Sequence, residues 1–215
     1  MVNVILVFDD YDFGTDEIPG LDYFFKECAI DIRKNLQADK FKIIEINGEV
    51  LNLEKINKSI DEFEDKRFIF IAYSHGSEYA LLYSNQEKEY VSNSNISKFS
   101  NSFVYTWSCF AGKELGIELI RNNCSVFIGY DKQVIAGTMD TNLFVDAANS
   151  GIIKFISGCS IMESYYFMKD KYTQIIDYFD NEKNDYVVAS FFRKNRDALL
   201  FLGEDISISE FMFEN

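Results

Sequence analysis

Residues Val2 to Phe8 read VNVILVF, a run rich in β-branched apolar residues that ends abruptly in the acidic turn DDYDFGTDE. A strand with one solvated face alternates apolar and polar residues, whereas a continuous apolar run of this length marks a strand buried on both faces. Such a strand needs covering layers above and below. Parallel neighbours also need crossover connections, and helices supply both requirements at once.

The following segments have the matching periodicity. Leu21 to Leu36 carries Leu21, Phe24, Phe25, Cys28, Ile32 and Leu36 at helical spacing, Phe41 to Ile46 is a second strand, and Asn47-Gly48 is a turn. Leu51 to Phe63 repeats the helical spacing, and Arg67 to Tyr73 is the third strand. The alternation then breaks: Tyr79 to Tyr83 and Glu89 to Val91 flank the polar stretch SNQEK as a predicted hairpin, and Asn93 to Phe99 suits a short capped helix. It resumes with Ser102 to Ser108 as strand four, a helix from Gly112 to Arg121, and Cys124 to Tyr130 as strand five. Helices over Thr141 to Phe155 and Ser160 to Phe179 follow, with a last strand around Ala198 to Leu202. The expected class is α/β, three layers, with a mostly parallel central sheet and helices on both faces. With one proline and 11 glycines no stretch reads as a linker, so residues 1–215 are expected to form a single domain.

Charge and cysteine usage narrow the function. Thirty-five acidic against 21 basic side chains give a formal charge of −14, which repels nucleic acid and anionic membrane surfaces and concentrates basic peptides, or serves solubility alone. Cys28, Cys109, Cys124 and Cys159 have no CxxC spacing and are too sparse for a disulfide framework, which fits reduced thiols in a cytoplasm. The apolar start has no preceding basic residue and runs into Asp9 and Asp10, unlike a secretory signal. No segment approaches the ~20 apolar residues of a membrane helix.

Ligands of an open parallel sheet bind beyond the carboxyl ends of its strands. There strand three ends in AYSHGSE, with the chain's one histidine, His75, and strand four ends in YTWSCFAGKELG, with Cys109. A lone histidine is usually a satisfied core residue and a lone cysteine a small hydrophobe. Adjacent exit loops make them a candidate catalytic pair, because a cysteine nucleophile needs a neighbouring base or a helix N-terminus, and a helix is expected near Gly112. Gly76 and Gly112 suit a close backbone approach, and the amides of Gly76 and Cys109 are candidates for an oxyanion hole; both glycines also read as ordinary turn residues.

An apolar strand closing in SHG, a hairpin and short helix, then an apolar strand closing in SCFAG before a helix, resembles the caspase-like clan of cysteine peptidases, in particular the prokaryotic CHAT domains. The stretch VFIGYDKQV followed by LFVDAANSGIIKFISGCSIMESYYFMKDKY is similar to the CHAT order of a fifth strand, a helix, a turn and a second helix. The resemblance implies that Cys109 attacks a peptide carbonyl and His75 protonates the leaving amine, with no third catalytic residue, no cofactor and no metal. It further implies a protein or peptide substrate, a regulatory or defence role in a bacterium, and action on or activation by a dedicated protein partner.

Departures from the clan's patterns bear on specificity. The Q-A-C-x-G signature is absent, the separation of His75 and Cys109 is shorter than the ~50 residues of caspases, and Trp107 replaces the acidic residue two places before the cysteine in metacaspases. In the clan the pocket for the residue before the cut is built after strand one, ahead of the cysteine, and after strand five. Those places hold Asp9, Asp10 and Asp12; Trp107; and Asp131. Carboxylates there would pair with Arg or Lys, or else they are solvated turn residues. Two other classes compete: a catalytically silent caspase-like scaffold that binds a protein partner, and a flavodoxin-like or nucleotide-binding domain. The second lacks GxGxxG and GxxxxGK[ST] after any strand.

Overall fold

The computed structural model describes residues 1–10, 20–64, 66–83, 88–137 and 140–213. Six strands form the central sheet: β1 (Val2–Phe8), β2 (Phe41–Asn47), β3 (Phe68–Tyr73), β7 (Phe103–Trp107), β8 (Val126–Tyr130) and β9 (Leu199–Gly203). Their order is β2-β1-β3-β7-β8-β9, parallel except for β9, which runs antiparallel to β8. Three short strands, β4 (His75–Gly76), β5 (Leu81–Tyr83) and β6 (Lys88–Val91), make a separate antiparallel sheet beside it.

The period-two alternation of each central strand feeds two cores. Leu6, Tyr73, Tyr105, Trp107 and Tyr130 point to one face. Helices α1 (Leu21–Asn35), α4 (Thr141–Ile156), α5 (Ile161–Tyr178) and α6 (Tyr186–Ala198) cover that face. Ile5, Val7, Phe70, Ala72, Val104 and Phe127 point to the other, covered by α2 (Leu53–Asp61), α3 (Leu115–Arg121), a 3-10 turn at Ile96–Phe99 and the small sheet. The result is the expected three-layer α/β fold with a mostly parallel sheet. A π-helical turn at Phe179–Lys183 joins α5 to α6, and α7 (Ile208–Phe213) ends the described chain.

Side-chain caps fix the starts of α2 and α5. The Asn52 side chain accepts the Lys55 N–H at 2.8 Å to cap α2, and Ser160 with Glu163 forms a reciprocal capping box on α5. One buried polar cluster ties two layers together. Tyr73 donates to Asn149 Oδ1 at 2.6 Å, and the Asn149 amide donates to Cys28 O and Asp31 Oδ2, tying β3 to α4 and α1. Among the described residues no helix is long and apolar enough to cross a membrane.

Two expectations are corrected, and one helix is added where the sequence pattern assigned no element. The helix after Cys109 starts at Leu115 rather than near Gly112, because residues 109–114 are taken up by turns in which Phe110 adopts the left-handed region at φ 61°. His75 and Gly76 are strand residues of the small sheet as well as the exit of β3. The stretch left unassigned before the last strand is helix α6, capped by Asp185 at 3.1 Å from Val188 N. Its buried face carries Val188, Ala189, Phe192 and Ala198 but also the polar Asn195, which interrupts the apolar signal.

Candidate active site

β3 and β7 are adjacent and parallel, with Tyr73 opposite Trp107. The register continues past the strand ends. Ser74 and Ser108 bring their hydroxyls to 3.3 Å, and a β-carbon placed on Gly76 would lie 2.8 Å from the Ser108 Cβ and 2.7 Å from the Cys109 carbonyl oxygen. Tyr73 and Trp107 point to the α1 face, and two residues further along both chains His75 and Cys109 lie on that side as well. Contacts agree with this placement. The His75 ring meets Phe25 of α1 edge-on at 5.5 Å between centroids, and Cys109 packs half-buried against the same core.

The chain folds this way locally because the residues between these side chains are hydroxylic. Ser74 bonds to Tyr90 at 2.6 Å and to the His75 carbonyl at 2.9 Å; Ser108 bonds to Thr106 at 2.8 Å, and Thr106 donates to Ala72 O at 3.1 Å. This buried chain lies on the face opposite the imidazole and thiol and ties both exit loops to β6. Sequence reading missed it; the only signal was a serine immediately before each of His75 and Cys109.

Burial dominates the electrostatics. It lowers the His75 pKa, and the nearby Asp22 carboxylate on α1 works against that shift. It raises the Cys109 pKa, countered by backbone hydrogen bonds from Val134 and from Cys109 itself. Both shifts favour the uncharged forms, an imidazole and a thiol rather than an ion pair. The expected helix-dipole contribution to a thiolate is absent, since α3 begins six residues after Cys109 and has only seven residues. The remaining thiols contrast in burial. Cys28 and Cys124 are buried, the latter with its pKa raised to about 11, while Cys159 is half-buried in the turn between α4 and α5.

The ladder of the small sheet orients Gly76. Ser77 N donates to Ala80 O at 2.9 Å, which makes Gly76 and Leu81 the non-hydrogen-bonded pair and turns the Gly76 N–H away from β5. The Cβ position of Gly76 is 3.4 Å from Cys109 N, so the two amides proposed for the oxyanion hole are neighbours.

The predicted pocket residues are less unified. Trp107 is buried in the core, with ring contacts to Phe24 at 4.6 Å and Tyr130 at 6.2 Å. Asp10 accepts the Gly48 N–H at 3.0 Å on the β2 side of the sheet. Gly48 follows β2 and Asp131 follows β8, four strand steps or about 19 Å apart, so Asp10 and Asp131 do not share one pocket floor. Asp9 is buried beyond β1, its N–H bonded to Tyr73 O at 3.0 Å. Asp12 lies outside the described residues. Asp131 stands beside the Cys109 loop: Phe110 N donates to Lys132 O and Gly112 N to Tyr130 O, on either side of it. Its buried Oδ1 has no hydrogen-bond partner among the described residues. A small cavity of about 90 Å3 opens between α1 and the segment after β8, lined by Leu21, Tyr23, Phe24, Ala136 and Thr141 among others.

The chain matches no protein-family model, and no curated protein is significantly similar to it.

Proposed function

We propose that the protein is a cysteine endopeptidase of the caspase-like clan, with His75 and Cys109 as its dyad. One observation carries the reading: two strands in register deliver the only histidine and a half-buried cysteine to the same face at neighbouring carboxyl ends. In this reading the neutral imidazole takes the thiol proton as Sγ attacks the peptide carbonyl. The amides of Gly76 and Cys109 receive the developing oxyanion, and the imidazolium then protonates the leaving amine. Water hydrolyses the thioester, and no cofactor or metal enters the scheme.

The substrate is a protein, cut after a basic residue, and the setting is bacterial regulation or defence in the cytoplasm with a dedicated partner protein. Among the described residues the basic preference is supported by Asp131, whose buried oxygen a guanidinium or ammonium group would satisfy. The test is cleavage of a positional-scanning peptide library by the wild-type, His75→Ala and Cys109→Ala chains. Cleavage that falls at least about 10³-fold in both variants is expected. Cleavage that survives either substitution, or a wild-type chain that binds a partner and cuts nothing, overturns the peptidase in favour of another site or a silent scaffold.

A further inference from the structure

The segment that follows β8 is held at two consecutive residues from opposite sides. Val134 N–H donates to the Cys109 sulfur at 3.4 Å and Val134 O accepts from it at 3.7 Å. Ile135 N–H donates to Asn195 Oδ1 at 2.9 Å, and Ile135 O accepts from Asn195 Nδ2 at 2.7 Å. Asn195 is 1% exposed on the inner face of α6. Its neighbour Phe192 stacks on Phe144 of α4 at 4.1 Å and on Phe179 at 5.9 Å, so the amide is presented by an anchored helix. A buried carboxamide placed to satisfy both backbone groups of one residue is a clamp on that residue.

The bonding at the sulfur identifies what the clamp holds. A thiol both donates and accepts, so it satisfies the carbonyl and the amide together; a thiolate would keep the bond from the Val134 N–H, which favours it, but would face the Val134 carbonyl oxygen unfavourably. Val134 itself is buried, and the Cys109 that it bonds is half-buried.

We propose that Asn195 is a positioning residue that acts through Ile135 and Val134 to hold Cys109 as a covered thiol, and that the nucleophile is freed when residues 133–136 lift from it. The regulatory meaning rests on the peptidase reading above; the clamp itself does not, because it is read from the thiol rather than from turnover. Removing Asn195 therefore exposes Cys109 selectively, whereas a general loosening of the core exposes Cys28 as well.

The experiment is timed iodoacetamide labelling of the intact chain, resolved by mass spectrometry for each cysteine, in wild type, Asn195→Ala and Asn195→Asp. Asn195→Ala loses both bonds to Ile135, and Cys109 labelling at neutral pH rises about tenfold, as expected when two net-stabilising hydrogen bonds are removed. Asn195→Asp keeps the acceptor but loses the donor and sets a carboxylate oxygen against Ile135 O, and labelling rises again. Cys28 stays protected in both. Cys109 labelling that is unchanged or slower, with Cys28 protected, overturns the proposal. If both variants expose Cys28, hydrogen exchange in the wild-type chain decides. Val134 and Ile135 amides that share one slow opening, matching the retardation of Cys109 labelling relative to a free thiol, uphold the clamp; fast exchange beside a retarded Cys109 overturns it. Labelling that responds as expected in a chain that cuts no peptide removes the peptidase and keeps the clamp. Peptide cleavage with labelling insensitive to Asn195 does the reverse.

Discussion

A β-carbon at Gly76 meets the backbone oxygen of Cys109 at 2.7 Å and the root of the Ser108 side chain, its Cβ, at 2.8 Å, neither of them the far end of a flexible chain. Gly76→Ala must therefore push the two exit loops apart, and in the proposed reaction it displaces an oxyanion donor and the nucleophile together. The expected result is a loss of about 10²-fold in kcat/KM with a folded chain by circular dichroism. His75 gives a second test. Burial holds its pKa below the ordinary value, so the folded chain binds fewer protons than the unfolded one as pH falls through about 6.5. This contribution to stability is complete above that pH and is lost on acidification, so denaturant midpoints of wild type should fall more steeply with acid than those of His75→Gln. Asp22 favours the imidazolium. Asp22→Asn should accordingly move the acid limb of kcat/KM, which reports protonation of the base, to lower pH; a limb that stays or moves up contradicts the assignment.

The elements separate into those that announce themselves and those that do not. Strands β1, β3, β7 and β8 are legible because burial on both faces leaves a continuous apolar run, and α1, α2, α4 and α5 because each carries an apolar stripe. Helix α6 was hidden because Asn195 sits on its buried face for a tertiary reason, the bonds to Ile135, that no local pattern encodes. The start of α3 was misplaced because Gly112 bonds across to Tyr130 instead of opening a helix. The placement of His75 and Cys109 at neighbouring strand ends was legible from the strand exits alone, but the preference of both groups for their neutral forms was not, since the burial that causes it comes from distant segments. At this scale the hydroxyl chain is also testable. Ser108→Ala leaves Ser74, Thr106 and Tyr90 with other partners, so it should cost only about 1 kcal/mol, a drop in Tm of about 2–4 °C in a chain this size. Activity should fall further than that, because the hydroxyl joins the two loops that carry His75 and Cys109. Equal, small losses in both would make the chain purely structural.

Across the whole molecule, the formal charge of −14 and the buried carboxylate oxygen of Asp131 act at different ranges and are separable by salt. The net field raises the encounter rate of cationic peptides and is screened within about 8 Å at physiological ionic strength. A carboxylate in contact with a bound Arg or Lys is screened far less, because the pair excludes water. Wild type should therefore show kcat/KM for peptides with a basic residue before the cut that declines with added salt, yet keeps most of its preference over neutral residues. Asp131→Asn removes the contact while leaving the charge almost unchanged. It should erase the preference, retain the salt dependence, and leave iodoacetamide labelling of Cys109 intact. A preference for Asp or an apolar residue in the wild-type library would instead assign specificity to the apolar cavity beside Phe24 and Ala136 or to another segment, and the aspartates after β1 and β8 would then be structural.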